Sequence, residues 1–92
     1  MNYSSEVFNS VWDDLEDDHV EKENLKIRSK LMMNVKDWYI STGLTQAEAA
    51  KVLRVTRPKL NNVLNGHIHM FTIDRLINML ACAGKHVQVN VN

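Results

Sequence analysis

Residues 56–66, T-R-P-K-L-N-N-V-L-N-G, hold two cations and three asparagines in an arrangement suited to binding. Thr56 is of the type that caps a helix, and Pro58 fits a first turn, where a missing N–H costs nothing. Leu60, Val63 and Leu64 recur at helical spacing as a stripe for burial, which leaves Arg57, Lys59, Asn61 and Asn62 facing out. A helix N-terminus ordinarily favours anions, so Arg57 and Lys59 each oppose the macrodipole by roughly a few tenths of a kcal/mol. That placement becomes favourable if the terminus meets a polyanion, whose phosphates both the side chains and the free N–H groups can engage. The chemistry expected here is recognition, not bond making.

Other reactive side chains offer less, and the chain is not expected to be an enzyme. Glu48 is accounted for as a helix cap, no glycine-rich phosphate loop is present, and no histidine has a triad-like setting. His67-Ile68-His69 lacks a cysteine or a third ligand at metal-site spacing, so neither a metal nor a cofactor is expected. Cys82, the only cysteine, cannot form an intramolecular disulfide and reads as a small buried hydrophobe. Trp38, Tyr39 and the methionines at 32, 33, 70 and 79 read as core.

The elements that position the polar face follow from caps and stops. Thr45-Gln46-Ala47-Glu48 matches the capping box S/T-x-x-E. A helix starting there is expected to bury Ala47, Ala50 and Leu53 and to end near Arg54, before the helix capped by Thr56. Upstream, Leu25, Ile27, Leu31, Met32, Val35, Trp38 and Tyr39 predict a long helix over about 25–42, stopped by Gly43. Downstream, Thr72 caps a helix with Ile73, Leu76, Ile77, Leu80 and Ala81 inward and Gly84 as its stop. Residues 4–15 place Val7, Phe8, Val11, Trp12 and Leu15 at the spacing of a short amphipathic helix, and D-D-H-V-E-K-E-N reads as a charged hinge or as the first turn of the next helix. In K-H-V-Q-V-N-V-N the period changes to two, with Val87, Val89 and Val91 on one face, which predicts a strand. No second strand is evident, so the simplest partner is the same strand of a second copy, antiparallel across a two-fold axis.

With 92 residues, 45% hydrophobic, three glycines and one proline, the chain fits one small helix-rich domain. No stretch has the apolar length of a membrane span and no secretory signal opens the chain, so a cytoplasmic location and no membrane partner are expected. The net charge of zero conceals a division. Residues 1–24 carry eight acidic side chains against Lys22 alone, a balance of −7, while the remainder carries ten basic against three acidic, +7. The organisation expected is an acidic arm over 1–24, a basic helical domain over 25–84 and a dimerisation strand over 85–92. Such asymmetry points to a body facing nucleic acid and an arm with a different partner.

Two short helices joined by a three- or four-residue turn, the second presenting polar side chains, describe a helix-turn-helix. The run G-L-T-Q-A-E-A-A-x-x-L-x-V-T-x-P-x-L-x-x-V-L-x-G resembles the XRE class of lambda-repressor-like DNA-binding domains over about 25–84. That resemblance implies an all-α bundle of four to five helices, here with a C-terminal β-strand that pairs across a dimer. It further implies base contacts from Arg57, Pro58 and Asn62: Arg57 bidentate to guanine, Asn62 to adenine, Pro58 apolar. Contacts to phosphates are implied for Thr45, Gln46, Thr56, Lys59, Asn61, Asn65 and His67.

Two positions depart from the pattern. Arg54 stands where the turn often has glycine, and Pro58 removes a hydrogen-bonding side chain from a reading position. The acidic aromatic segment V-W-D-D-L-E-D-D, the helix N-L-K-I-R-S-K-L-M and the valine-rich end also resemble single-domain HigA-like antitoxins encoded beside RelE- or HigB-type toxins. The function so implied is a dimeric repressor that reads a palindromic double-stranded operator, autoregulates its operon and neutralises a basic toxin. Phe8 and Trp12 are candidate anchors of an arm that binds a basic toxin, folds over its own basic body or that of the partner subunit, or screens the DNA-binding face. The competing reading is an XRE-type, prophage-like regulator without a toxin.

Overall fold

A computed structural model describes residues 17–92, so the expected helix over 4–15, with Phe8 and Trp12, lies outside the described residues. The described residues form four α-helices and one short 3-10 turn. Helix α1 spans Asp17–Thr42, α2 Gln46–Leu53, α3 Arg57–Leu64 and α4 Ile73–Cys82, and the 3-10 turn Ile68–Met70 links α3 to α4. None of these helices is long and apolar enough to cross a membrane.

Helix α1 begins well before the apolar periodicity does. Its first turn carries Asp18 and Glu21, whose charges complement the helix dipole, so the acidic run is absorbed as helix without forming a hinge. Residues 18–24 are exposed, and Leu25 is the first half-buried side chain. From there Leu31, Met32 and Val35 enter the core, while Ile27 stays exposed at the edge of that stripe. The helix ends with the Ser41 and Thr42 hydroxyls donating to the Trp38 and Tyr39 carbonyls (2.8 and 2.9 Å), followed by Gly43 at φ 72°.

One core joins all four helices: Leu31, Met32 and Val35 from α1, Ala49, Ala50 and Leu53 from α2, Leu60 and Val63 from α3, and Leu76, Met79 and Leu80 from α4, with Phe71 from the loop. The expected inward position at Ala47 is replaced by Ala49. The face of α2 that meets the core runs through 46, 49, 50 and 53, one step round from the predicted set, and Ala47 is exposed. Ala81 is likewise exposed while Met79 is buried. Met32 and Met79 are core, whereas Met33 and Met70 are 61% and 60% exposed. Cys82 is half-buried.

Three helices share one C-terminal device. At the end of α2 the Val55 N–H donates to the Ala50 carbonyl (3.0 Å) and the Arg54 N–H to that of Lys51 (3.2 Å). After α3, His67 donates to Asn62 and Gly66 to Val63, both at 3.0 Å. After α4, Lys85 donates to Leu80 (2.9 Å) and Gly84 to Ala81 (3.0 Å). This is the Schellman pattern, which satisfies the last carbonyls by placing one residue in the left-handed region. Gly66 and Gly84 take that conformation at φ 76° and 82°, but after α2 it falls on Arg54, at φ 60°.

No strand forms among the described residues; residues 85–92 carry no regular structure. A strand needs a ladder partner, and the described residues present none, so the alternating valines do not form one here. Val87 packs half-buried against the core, while Val89 and Val91 are exposed.

The left-handed backbone at Arg54 strains any residue with a Cβ by about 1 kcal/mol relative to glycine. Arg54→Gly is therefore expected to stabilise the fold by about that amount, raising the thermal midpoint by roughly 4–8 °C. Thermal denaturation followed by circular dichroism checks it; an unchanged or lower midpoint contradicts it.

Candidate nucleic-acid interface

Two tandem N-caps build the polar face. Thr45, in extended backbone, accepts the Glu48 N–H (3.2 Å) while Glu48 accepts the Thr45 N–H (3.0 Å), completing the capping box predicted from the sequence. Thr56 accepts the Lys59 N–H (3.2 Å) at the start of α3, with Pro58 in the first turn. Each cap uses a lone pair of the threonine hydroxyl oxygen.

Arg54, Val55 and Thr56 alone connect α2 to α3, so the two helix N-termini are held in fixed relation by the shared core. Gln46 at the start of α2 lines one shallow pocket with Arg57, Pro58 and Asn61. Residues eleven or more positions apart in sequence thus meet on one surface. Arg57, Pro58 and Asn61 are exposed, and Gln46, Lys59 and Asn62 are half-buried, with their neighbours Leu60 and Val63 anchored in the core. Thr45, Thr56, Asn65 and His67 are exposed at the two ends of the same helix pair. Val87, Val89 and Val91 lie apart from this group, on the C-terminal segment.

Among the described residues no carboxylate pairs with the cations on this face. The single salt bridge among the described residues joins Lys26 to Glu23 (3.5 Å) on the exposed start of α1. Arg57 and Lys59 have no carboxylate partner there. No group of three or more histidines, cysteines or carboxylates gathers to hold a metal ion among the described residues. The arrangement can therefore hold an anionic backbone through cations, caps and free N–H groups, and can offer amide and guanidinium donors to a ligand seated against α3.

Three features of the site escape the linear pattern. A groove of about 640 Å³ between the α2–α3 turn and α4 gathers Arg54, Lys59 and Arg75, the last from a helix not expected to contribute cations. Arg28 on α1 donates to the carbonyls of Ile68 (3.1 Å) and Phe71 (3.4 Å), fixing the loop that follows α3. His67 Nδ1 lies 3.0 Å from Asn62 Oδ1. The Arg28 contacts join segments that no local spacing brings together.

Residues 11–92 match the family described as a helix-turn-helix domain. No curated protein matches the chain.

Glu48 ties this face to pH. The backbone N–H of Thr45, and then its side chain, hold the Glu48 carboxyl below the ordinary carboxylate range. Because the folded value is lowered, its contribution to stability is complete above the ordinary glutamate value of about 4.3 and is lost as pH falls through the lowered one. Urea midpoints of wild type and Glu48→Gln, taken stepwise downward from pH 7, are expected to converge in that acid window. Divergence on acidification contradicts the assignment.

Proposed function

Because the chain belongs to the helix-turn-helix domain family, we propose that it is a sequence-specific DNA-binding transcriptional repressor of the XRE class. In this reading it acts in the cytoplasm as a homodimer on a palindromic double-stranded operator and is the antitoxin of a toxin–antitoxin pair whose operon it represses. The DNA reading rests on the surface shared by Gln46, Arg57, Pro58 and Asn61, cationic and without carboxylate partners among the described residues.

With α3 in the major groove, Arg57, Pro58 and Asn62 meet base edges and set sequence choice. Thr45, Gln46, Thr56, Lys59, Asn61, Asn65 and His67 line the flanks and engage phosphates, which fix register without specifying sequence. The macrodipole cost of Arg57 and Lys59 is offset once the terminus faces DNA, since each phosphate contact releases condensed counterions. The dimer is supported by the C-terminal segment, where Val89 and Val91 are 76% and 89% exposed and the backbone forms no ladder among the described residues. Pairing with the same segment of a second copy would give both a partner, and a dimer reading a palindrome needs its two α3 helices about 34 Å apart, one turn of DNA.

The antitoxin reading is supported by the division of charge, −7 over residues 1–24 and +7 over the rest. An acidic arm carrying Phe8 and Trp12 is suited to a basic RelE/HigB-like toxin through complementary charge with aromatic anchors. A chain lacking residues 1–16 is expected to bind its operator with undiminished affinity and to lose protection against a co-expressed neighbouring toxin. Full protection by that chain contradicts the assignment of the arm.

Selection of bound duplexes from a random pool, followed by salt titration of the enriched sequence, tests the DNA reading. The expected outcome is an enriched palindrome whose affinity falls steeply with salt, with Arg57→Ala losing about 1–3 kcal/mol and relaxing choice at one base pair of each half-site. An unenriched pool, or Arg57→Ala binding like wild type, overturns it.

A further inference from the structure

We propose that the groove lined by Arg54, Lys59 and Arg75 seats a second run of DNA phosphates, on the flank of α3 opposite Gln46. The proposal rests on the reading of α3 as the recognition helix. Successive residues of a helix are about 100° apart, so the first turn of α3 has four distinct sides. Leu60 faces the core and Pro58 the solvent, which leaves Arg57 on one flank and Lys59 on the other. The two flanks meet different neighbours. Arg57 shares its pocket with Gln46 from the start of α2. Lys59 shares its groove with Arg54 from the α2–α3 turn and Arg75 from the first turn of α4.

The composition of that groove suits an anion. Three elements each contribute one cation, Asn78 adds an amide, and no carboxylate is among the lining residues. Asp74 adjoins Arg75 in the chain yet lines no part of the groove, and neither arginine is in a salt bridge among the described residues. Like charges gathered in this way repel, and an anion lying between them relieves the repulsion. Arg54 adds a second observation. Its backbone is left-handed, at φ 60°, in a helix-end position that Gly66 and Gly84 fill after α3 and α4. A side chain kept against that strain is explained by a contact that glycine lacks.

The major groove of B-DNA is about 12 Å wide, and a helix with its side chains is about 10–12 Å across. A helix seated there has a sugar–phosphate strand on each side. Thr45 and Gln46 serve the wall beside α2. The groove of Arg54, Lys59 and Arg75 serves the opposite wall, so α3 is held between the two strands. Guanidinium groups meet phosphate oxygens with paired N–H donors, and such contacts position the protein without specifying sequence.

The experiment is a salt titration of the duplex enriched from a random pool, with wild type, Arg54→Gly, Arg75→Ala, Arg75→Lys and Lys85→Ala, each as the full chain. Each phosphate contact removed lowers the slope of log affinity against log salt by about one. Arg54→Gly and Arg75→Ala are each expected to lower it by about one per half-site and to select the same sequence as wild type. Arg75→Lys keeps the charge and is expected to keep the slope. Lys85 is an exposed cation after α4 and outside the groove, and Lys85→Ala is expected to leave the slope unchanged. Arg54→Gly is the sharper case, because DNA binding is expected to weaken in a chain whose thermal midpoint rises. A slope unmoved by either arginine substitution overturns the proposal, as does an equal fall with Lys85→Ala, which reflects net charge alone. A shifted base preference also overturns it, by placing the arginine on a base edge. In each of these outcomes Arg57→Ala still relaxes choice at its own base pair, and α3 remains the recognition helix. An unenriched pool, or Arg57→Ala binding like wild type, overturns both readings.

Discussion

Complete burial of Leu60 and Val63 in the core shared by the four helices is the constraint on which the molecule turns. Helix α3 has eight residues, far short of the length at which a helix is stable in water, and it carries asparagines and a proline that add no helical preference. It exists because its inner face is taken into the core. Helical geometry then allows only one outcome for the intervening positions: Arg57, Pro58 and Asn61 are exposed because Leu60 and Val63 are not. Orientation of the binding surface is thus a by-product of hydrophobic packing, and any change that loosens the two buried side chains releases the polar ones as well.

The same logic governs α2, whose inner face is built mainly from alanine. Ala49 and Ala50 contribute little apolar area each, but their small size lets α2 lie close against its neighbours, with Leu53 closing the contact. Close packing and a three-residue turn hold the N-termini of α2 and α3 near enough for Gln46 to meet Arg57 and Pro58. The turn is short only because Arg54 accepts a left-handed backbone. Local strain at one residue is the counterpart of compact geometry between two helices.

Much of this was legible in the residues themselves. Thr45 with Glu48, Thr56 with Pro58, and Thr72 announce helix starts because capping is a local interaction decided within four residues, and Gly43, Gly66 and Gly84 announce ends because the left-handed region suits few other residues. What escaped was decided at longer range. Ala47 and Ala49 are chemically identical, so only the direction from which the core approaches α2 selects between them. Residues 17–24 lack apolar periodicity, yet their carboxylates suit a helix start and the helix extends through them. Arg28 reads as an ordinary surface cation until the Ile68–Phe71 loop folds beneath it. The alternating valines at 87, 89 and 91 have the pattern of a strand, but a pattern supplies no hydrogen-bonding partner, and the described residues do not contain one. The pairing of His67 with Asn62 is hidden for a related reason: residues five apart meet only after a glycine reverses the chain between them.

Helix α1 is anchored along part of its length, with residues 18–24 exposed and its core contacts concentrated between Leu31 and Tyr39. Its backbone hydrogen bonds are continuous, but the free energy needed to open them is not. With no core contacts of their own, the exposed residues 18–24 open at a lower free energy than the buried part of the helix. The backbone bonds around Val35 open only when the bundle comes apart. One uninterrupted helix is therefore two dynamic units, and the acidic end can unwind and rewind without disturbing the surface carried by α3.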